Sequence, residues 1–353
     1  MDDLRDWLKK LETMGELKII KGLHWDLEIG ATTDPSILGE DPRAFLFDDI
    51  VDYPSGHRVL SGSIKTPRRT ALFLGMPLSD SIQELIQVAR EKIPQWEASL
   101  SKFNPQVVQT GPVMENVDSG KDVDLFKFPI PKWHELDGGR YIGTADAIIT
   151  RDPDNGEVNL GTYRIMVHDE KTTALYISPG KHGRRHYEKH HARGEACPVA
   201  ISVGHHPLVF AMSALPLTVP EYNYIGAISG EPVKVIKEEV TGLPIPADAE
   251  IVVAGWCPPG KTMIEGPFGE WTGYYGSAER PAPILEVERV YYRNNPIILG
   301  APPRRPPTDN TIYNVIFRSA DLHNQLERAG VPDVRGVWLS NIAGAMLIVV
   351  SIK

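Results

Sequence analysis

Three segments of the chain have the hydrophobic periodicity of amphipathic helices. One opens the chain, a second spans residues 79–92, and a third begins after a cap at Thr308 or Asp309 and is stopped by Gly330 and Pro332. Apolar residues every three or four positions place one face of each helix against a core. Those faces comprise Leu4, Trp7, Leu8 and Leu11; Ile82, Leu85, Ile86 and Ala89; and Ile312, Val315, Ile316, Leu322 and Leu326.

Short β-prone segments fill much of the remaining chain. Residues 44–47 and 58–60 flank a turn at residues 53–56, a pattern typical of paired strands. From about residue 105 onward the spacing of strands and Gly- and Pro-rich turns favours a closed or partly closed antiparallel barrel over a parallel sheet. The strands concerned are residues 145–150, 162–168, 173–177, 200–203, 251–254 and 284–292.

The last apolar run, residues 345–352, is predicted to be a fully buried strand. A buried strand rarely ends a protein without a covering element. We therefore expect further polypeptide to follow Lys353 in the natural protein.

Composition narrows the class of protein. With 353 residues the chain can form two or three domains. A net charge of −9 argues against nucleic acid as a partner, because phosphate contacts need a basic face. Cys197 and Cys257 are too few for a disulfide framework and fit a reducing compartment. The acidic start is no signal peptide, and no apolar run reaches membrane-spanning length, so we expect a cytoplasmic protein.

A short loop at residues 265–270, with the sequence EGPFGE, is the strongest indication of chemistry. Pro267 and two glycines exclude a helix, so Glu265 and Glu270 are held on a shaped turn. Paired carboxylates in a confined site have pKa values that are pushed apart, which makes one of them a candidate proton donor. For the loop taken alone, a surface turn with two solvated glutamates is the more frequent outcome.

Three further segments stand in order before this loop: NLGTYR at residues 159–164, SPGKH at 178–182 and EYNYIGA at 221–227. Together the four resemble the UbiD family of prenylated-flavin-dependent decarboxylases. The family pattern has an Asn five residues before an Arg, a His eighteen residues after it, a Glu before a Tyr-containing run, and the paired-acid loop. Residues 293–297 and 306–309 also resemble family segments, so the similarity spans nearly the whole chain.

The resemblance implies a multidomain protein that mixes α/β and α+β architecture. An N-terminal α/β domain would occupy residues 1–110. A central split β-barrel like that of flavin reductases would bind the cofactor at residues 111–305. Residues 306–353 would supply the linker helix and first strand of a C-terminal α/β assembly domain that is incomplete here. The hydrophobic pattern independently indicates the first two domains.

The resemblance also implies an activity: reversible, non-oxidative decarboxylation of an α,β-unsaturated or (hetero)aromatic carboxylic acid. Prenylated FMN would take up the electrons left when CO₂ departs, since no side chain does so well. Arg164 is expected to bind the carboxylate through its planar, bidentate guanidinium. Glu270 is expected to donate the proton, kept protonated by burial, and Glu265 to orient Arg164. The reverse assignment of the two glutamates stays open.

The cofactor phosphate needs a counter-charge on this acidic protein. The resemblance implies a divalent ion held by Asn159, His182 and Glu221, and this oxygen-rich set suits Mn²⁺ or Mg²⁺ better than zinc. It also implies K⁺ bound by backbone carbonyls around Ser213 to Leu215. Further cofactor contacts are expected from Thr162, Tyr163, Arg164, Lys181, Ser213, Leu215 and Pro216, although Lys181 is as often simply solvated.

Two basic segments admit other interpretations. His182, His186 and His190 share one face of a helix in a spacing known from zinc sites. Neighbouring arginines and lysines would repel a cation, so we expect His182 alone to bind metal and the others to lie on a basic, partly exposed helix. Arg304 and Arg305 could recognise a second carboxylate or a phenolate, but a solvated turn that contacts Asp309 or a neighbouring subunit is the more frequent arrangement.

The sequence is also compatible with two other functions. A carboxylate-pair hydrolase such as a glycosidase would also place two acids in a cleft. A non-catalytic flavin-binding or assembly subunit gains weight if the natural chain ends at Lys353. The family resemblance implies a homodimer or homohexamer and a separate flavin prenyltransferase as the cofactor's source. The sequence defines neither the substrate nor the physiological direction.

Overall fold

The computed structural model describes residues 1–34, 41–270, 273–340 and 347–353. Its helices are α1 (Leu4–Thr13), α2 (Glu28–Thr33), α3 (Pro67–Phe73), α4 (Ile82–Ser99), α5 (His182–Ala192), α6 (Pro207–Ala214), α7 (Glu221–Ser229) and α8 (Ile312–Arg328). Within these ranges, no helix combines the length and the apolar character needed to cross a membrane.

The strands are β1 (Leu17–Lys21), β2 (Ala44–Asp48), β3 (Arg58–Ser61), β4 (Gln106–Val107), β5 (Asn116–Ser119), β6 (Arg140–Gly143), β7 (Ala147–Arg151), β8 (Val158–Gly161), β9 (Ile165–Val167), β10 (Thr172–Leu175), β11 (Cys197–Val203), β12 (Lys234–Lys237), β13 (Pro244–Pro246), β14 (Ile251–Cys257), β15 (Thr262–Glu265), β16 (Arg280–Tyr292), β17 (Ile297–Gly300), β18 (Val334–Leu339) and β19 (Ile348–Ile352).

Helices α1 and α4 follow the predicted apolar stripes. In α1 the four predicted apolar residues are all buried, and the Asp3 side chain caps the helix by accepting from the Asp6 N–H. Helix α4 starts three residues later than predicted, because Ser81 is its cap, and runs on to Ser99 through Pro94. The buried apolar residues beyond residue 92 explain the extension, since packing of an amphipathic face outweighs the local cost of a proline.

The predicted cap of α8 is wrong. The helix begins at Ile312, and the Asp309 carboxylate instead accepts the backbone N–H groups of Gly62 at 3.1 Å and Ile64 at 2.7 Å. Asp309 therefore ties the start of this segment to the loop after β3. The predicted inward face is confirmed at its start, but Leu322 and Leu326 are only half-buried.

The N-terminal sheet has the order β1-β2-β3-β17. Strands β2 and β3 form the predicted antiparallel pair around the turn, whereas β1 pairs with β2 and β17 with β3 in parallel. Strand β17 comes from residues 297–300, far along the chain. The segment after β17 is thereby brought back beside the N-terminal sheet.

The central sheet is a curled, split β-barrel, as predicted. Its order is β6-β9-β10-β16-β14-β11-β7-β8, with β5 and β15 pairing with β16, and every pairing is antiparallel. The order has two ends, at β6 and β8, so the barrel is partly closed. A smaller sheet, β13-β12-β4, lies outside it.

Trp133 joins the N-terminal sheet to the barrel. Its ring is buried and lies against Gly300 of β17, where a Cβ atom would come within 2.4 Å of the indole. Its Nε1 donates to the Tyr141 carbonyl oxygen at 3.3 Å. Only glycine at residue 300 leaves room for this ring, and the contact fixes β6, which carries Tyr141 toward the acidic loop.

The prediction of a fully buried last strand is wrong for the residues that can be compared. Strand β19 forms where expected and pairs with β18 in an antiparallel hairpin. All five of its residues are exposed, because β18 pairs with one edge and no other described element covers its faces. Residues 345 and 346 of the predicted strand lie outside the described ranges.

Candidate active site

The acidic loop begins where β15 ends, at Glu265. Gly266 has a φ of +86°, a conformation that favours glycine, and residues 266–270 have no regular secondary structure. Gly138 anchors the loop: its N–H donates to the Pro267 carbonyl at 2.8 Å, and a Cβ at residue 138 would lie 2.0 Å from the Gly266 carbonyl oxygen. The loop is therefore held in one position by a close backbone approach.

Arg164 and Glu265 form a bidentate ion pair. Arg164 lies between β8 and β9, and its Nε and Nη2 donate to the two oxygens of Glu265 at 2.7 and 2.8 Å. Glu265 is fully buried and also accepts from the Tyr141 hydroxyl at 3.1 Å. Burial opposes the charge on Arg164, but the hydrogen bonds and charge of Glu265 outweigh it, so the pKa of Arg164 is raised above its ordinary value.

This geometry changes what Arg164 can offer to a ligand. We expected its planar fork to face a substrate carboxylate, but Glu265 occupies the Nε–Nη2 edge. Nη1 is the nitrogen that points away from Glu265, and the Glu270 Oε1 lies 3.6 Å from it. The guanidinium also lies over the rings of Tyr176 and Phe268, with centroids at 5.1 and 5.6 Å. Arg164 is thus rigidly oriented, with one nitrogen directed at Glu270.

Glu270 is in a more open environment than Glu265. Its side chain retains 34% of its exposure, against none for Glu265. Its N–H donates to the Tyr274 carbonyl at 2.9 Å, and a Cβ at Gly276 would lie 3.0 Å from its Cγ. The described residues therefore do not bury Glu270 as we expected. The loop gives its two acids unequal surroundings: Glu265 is buried in a bidentate ion pair with Arg164, and Glu270 is partly exposed with a single, longer contact to the same guanidinium.

Asn159, His182 and Glu221 meet in a second cleft of about 340 Å³, which Arg185 also lines. They come from β8, from the first residue of α5 and from the first residue of α7. Two helix N-termini therefore open into this cleft. Their free N–H groups and dipoles favour an anion such as a phosphate.

The side chains in this cleft fit a cation beside that anion. Glu221 is buried, and the described residues offer its carboxylate one hydrogen bond, from the Leu160 N–H at 3.2 Å, and no cation. Burial raises its pKa to about 7. The Asn159 amide nitrogen is buried with no hydrogen-bond partner among the described residues. A divalent ion would supply the counter-charge that the buried Glu221 carboxylate lacks and would take the amide oxygen of Asn159 as a ligand. The unpaired Asn159 amide nitrogen is a donor, so it suits an oxygen of the neighbouring anion.

The predicted metal-binding set of Asn159, His182 and Glu221 differs from metal sites in which every ligand is a His, Cys, Asp or Glu side chain. Among the described residues, no group of three or more His, Cys, Asp or Glu side chains is placed to hold a metal. The predicted set contributes two such residues and one amide. Its donors, two oxygen-bearing groups and one imidazole, suit a hard cation such as Mg²⁺ or Mn²⁺.

The other predicted cofactor residues divide into two groups. Thr162 joins two elements, because its N–H donates to the Ser213 carbonyl at 3.1 Å and its hydroxyl to the Asp146 carbonyl at 2.8 Å. The Tyr163 ring fills the space beside Gly161 and Gly183. These contacts fasten the end of β8 to the start of α5 and to the last turn of α6.

The cleft that contains Asn159, His182 and Glu221 is not lined by Lys181, Leu215 or Pro216. Lys181 is exposed. Leu215 and Pro216 line a different cavity, against α8 and the β18–β19 hairpin. The Leu215 carbonyl accepts the Leu217 N–H at 2.9 Å, and the Ser213 carbonyl accepts from Thr162. Two carbonyls of the segment predicted to bind K⁺, Ser213 to Leu215, therefore already hold one backbone hydrogen bond each.

The histidines of α5 do not act as one set. His186 is buried, contrary to the expectation of a partly exposed residue, and its Nδ1 lies 2.9 Å from the Thr150 hydroxyl. Burial lowers its pKa to about 4, although Asp152 acts against that shift. The His190 Nε2 lies 3.3 Å from the Arg151 carbonyl oxygen. Both imidazoles therefore contact β7, although His186 also lines the cleft that His182 lines.

Sequence reasoning missed Tyr141 and misjudged Arg304. No pattern distinguishes Tyr141 from other barrel tyrosines, because its partner Glu265 is 124 residues away. Arg304 is 5% exposed and does not form a solvated turn, whereas Arg305 is exposed as expected. Both line a cavity of about 750 Å³, which is also lined by Lys65, Gly269 and residues 273–275.

Comparison with family models identifies two domains. Residues 106–306 match the "3-octaprenyl-4-hydroxybenzoate carboxy-lyase Rift-related domain" of UbiD, and residues 8–89 match the corresponding N-terminal domain. The first match covers more than half of the chain.

Characterised relatives resemble the chain over nearly all of its length. A pyrrole-2-carboxylic acid decarboxylase of Pseudomonas aeruginosa is 33% identical, with 99% of this chain and 71% of the relative aligned. A phenolic acid decarboxylase of a Streptomyces species is 31% identical, over 100% of this chain and 74% of the relative.

Solved structures share the fold. The closed form of vanillic acid decarboxylase from Sedimentibacter hydroxybenzoicus superposes with a TM-score of 0.89 at 28% identity, covering 100% of this chain and 74% of that one. An evolved dimeric form of the UbiD-class enzyme HmfF from Pelotomaculum thermopropionicum, in complex with prFMN, gives 0.85 at 28% identity, covering 100% and 79%. Matching models, relatives and architecture agree, and the chain belongs to the UbiD family of carboxy-lyases.

Proposed function

We propose that this protein is a reversible, non-oxidative decarboxylase of an α,β-unsaturated or (hetero)aromatic carboxylic acid that uses prenylated FMN. The observation that carries the proposal is the arrangement of Arg164, Glu265 and Glu270. One acid locks the guanidinium, and the other lies 3.6 Å from its remaining nitrogen. A relative named for pyrrole-2-carboxylate and another for phenolic acids support an aromatic substrate.

In this proposal Arg164 binds the substrate carboxylate through Nη1. Glu265 and Tyr141 hold the guanidinium plane, so that the carboxylate is oriented before reaction. Glu270, beside that nitrogen and about one-third exposed, donates a proton to the carbon from which CO₂ has departed. When bound, the flavin supplies the electron sink that no side chain of this chain provides.

The cleft of Asn159, His182 and Glu221 is the proposed binding site for the cofactor phosphate and its divalent ion, Mn²⁺ or Mg²⁺. Two helix N-termini, Arg185 and the unsatisfied Asn159 amide support this assignment. K⁺ at the carbonyls of Ser213 to Leu215 belongs to the same proposal. So do a separate flavin prenyltransferase as cofactor source and a homodimer or homohexamer as the assembly, in line with a dimeric HmfF.

A direct assay tests the proposed activity. The protein, produced together with a flavin prenyltransferase, should show flavin-like absorbance and release CO₂ from pyrrole-2-carboxylate or a hydroxybenzoate. In deuterated water the product should carry deuterium at the vacated carbon. Protein that is saturated with prenylated FMN and metal but releases no CO₂ from a broad panel of aromatic and unsaturated acids would refute the proposal.

The alternative of a carboxylate-pair hydrolase has less support. Both oxygens of Glu265 are engaged by Arg164, so this carboxylate is not available as a nucleophile or base. A hydrolase of this kind needs two acids that both face the substrate. Hydrolysis of glycosides by flavin-free protein would reverse this judgement.

Replacing Glu221 or His182 with Ala is expected to release metal and flavin together. A divalent ion that bridges the protein and the phosphate supplies much of the attraction for the cofactor. Metal analysis and the flavin-to-protein absorbance ratio measure both losses without an activity assay. Glu188→Ala, which removes an exposed carboxylate from the same helix as His182, is the control and should keep both. Full metal and flavin occupancy in the Glu221 variant would show that the coordination is wrong.

A further inference from the structure

The large cavity of about 750 Å³ lies between the N-terminal sheet and the acidic loop. Its walls include Lys65 and Thr66 after β3, the Gly269 backbone beside Glu270, and residues 303–307. A Cβ at Gly269 would lie 3.3 Å from the Pro303 carbonyl oxygen. The backbone that carries Glu270 is therefore packed directly on the segment that carries Arg304.

Arg304 lines this cavity with its hydrogen-bonding capacity partly unused. It is more than nine-tenths buried, and its Nη1 donates to the Thr33 carbonyl oxygen. Its buried Nε has no partner, and its Nη2 bonds to no described residue. The Nε and Nη2 atoms of Arg304 form the edge of the guanidinium that corresponds to the edge through which Arg164 binds Glu265. An empty fork of this kind matches a planar carboxylate and is costly to bury unpaired.

Lys65 adds a second, half-buried positive charge beside the first. Burial and the nearby charge of Arg304 lower the pKa of Lys65 to about 8, although Asp309 acts against that shift. Its Nζ donates to the Asp41 carbonyl oxygen at 2.5 Å. Two cations that destabilise each other are an arrangement that a bound anion would relieve.

The nearby carboxylates only partly balance these cations. Asp41 is engaged by Arg43 through Nη2 at 2.8 Å and Nε at 3.0 Å, and both oxygens of Asp309 accept backbone N–H groups. Asp34 also lines the cavity, and its charge favours protonated Arg304. Opposite it stand Lys65, Arg304 and Arg305, so the described lining has an excess of positive charge.

We propose that Arg304, with Lys65, forms a subsite for a second carboxylate of the substrate, which makes aromatic dicarboxylic acids the preferred substrate class. This inference rests on the proposed function for the reacting carboxylate at Arg164. Gly269 lines this cavity and directly precedes Glu270, so in this proposal one ring presents one carboxylate to Arg164 and Glu270 and the other to Arg304. The predicted solvated turn is thereby replaced by a buried recognition group.

Calorimetric titration of the metal- and flavin-free protein tests the subsite without any turnover. Isophthalate and terephthalate place the second carboxylate at two positions, and benzoate lacks it. At least one diacid should bind about 10- to 100-fold more tightly than benzoate, the value of a charge-assisted pair. Arg304→Gln should remove this preference, whereas Arg305→Gln, which changes the exposed neighbour, should largely keep it.

Three binding results would count against a carboxylate subsite at Arg304. Unchanged diacid preference in Arg304→Gln, or no preference in the unmodified protein, overturns the inference. Tighter Arg304-dependent binding of 4-hydroxybenzoate than of either diacid would also overturn it, in favour of a phenolate site. If Arg304→Gln lowers the melting temperature, Lys65→Met is the second variant and should weaken diacid binding alone.

Turnover then distinguishes this inference from the proposed function. With prenylated FMN bound, the ratio of kcat/KM for the preferred diacid to that for benzoate should fall about 10- to 100-fold in Arg304→Gln. If no acid is decarboxylated while diacid binding still depends on Arg304, the proposed function fails and the subsite stands. If monoacids react normally and the ratio is unchanged, the subsite fails and the proposed function stands.

Discussion

Glu270→Gln is expected to lower kcat by about 100- to 10,000-fold, the usual contribution of a positioned proton donor. The amide keeps the shape of the side chain but cannot supply a proton to carbon. Because Glu270 is 34% exposed and contacts neither Asn159, His182 nor Glu221, folding, metal and flavin should be retained. Steady-state rates and deuterium incorporation from solvent should fall together in this variant.

Two comparisons make the Glu270 test decisive. Glu279→Gln removes an exposed carboxylate a few residues along the chain and should leave the rate nearly unchanged. Glu265→Gln should weaken turnover by releasing Arg164 and should also destabilise the fold, since it breaks a buried pair. A wild-type rate for Glu270→Gln with a slow Glu265→Gln enzyme would reverse the two roles, and full activity in both would remove this loop from the mechanism.

Arg164→Lys is expected to lower kcat/KM by about 100- to 1,000-fold although the charge is kept, an effect comparable to the loss of one preorganised donor. Arginine binds Glu265 with two nitrogens and still presents Nη1 beside Glu270. A lysine ammonium is a single point charge, so it cannot satisfy Glu265 and hold a substrate carboxylate in the same geometry.

Arg280→Lys is the matched control for Arg164→Lys. The Arg280 guanidinium lies over the same Tyr176 ring, 4.5 Å from its centroid, and donates to the Tyr176 hydroxyl. Among the described residues, this guanidinium forms no hydrogen bond with Glu265 or Glu270. Its replacement should change kcat/KM far less than that of Arg164. Normal kinetics for Arg164→Lys would move carboxylate binding elsewhere, with Arg304 as the next candidate.

Local sequence patterns predicted the helices and strands better than the long-range contacts that surround them. Strands β2, β3 and β16 and helix α1 follow from apolar periodicity, because that signal depends only on neighbouring residues. The cap of α8 did not follow, since Asp309 found backbone donors about 245 residues away in the chain. A strong local capping signal gave way to a long-range contact.

The site shows the same limit. The pairing of Arg164 with Glu265 spans 101 residues and could be expected only from the family resemblance. The family resemblance identified Arg164, Glu265 and Glu270 as site residues. It did not predict which edge of the Arg164 guanidinium each glutamate contacts. The burial of Arg304 depends on a cavity that several distant segments of the chain form together. Two adjacent arginines between prolines give no local signal that one of them is buried.

The close approach of Gly138 to Gly266 has a consequence for anyone who diversifies this enzyme. Any side chain at residue 138 would collide with the backbone of the acidic loop, 2.0 Å away. Random libraries that include residues 138 or 265–270 will therefore consist mostly of inactive clones. Saturation of residues 303–305 and 274–275 leaves that anchor untouched and spares Gly273, whose Cβ would lie 2.7 Å from the Arg305 backbone, so new substrate ranges should be sought there first.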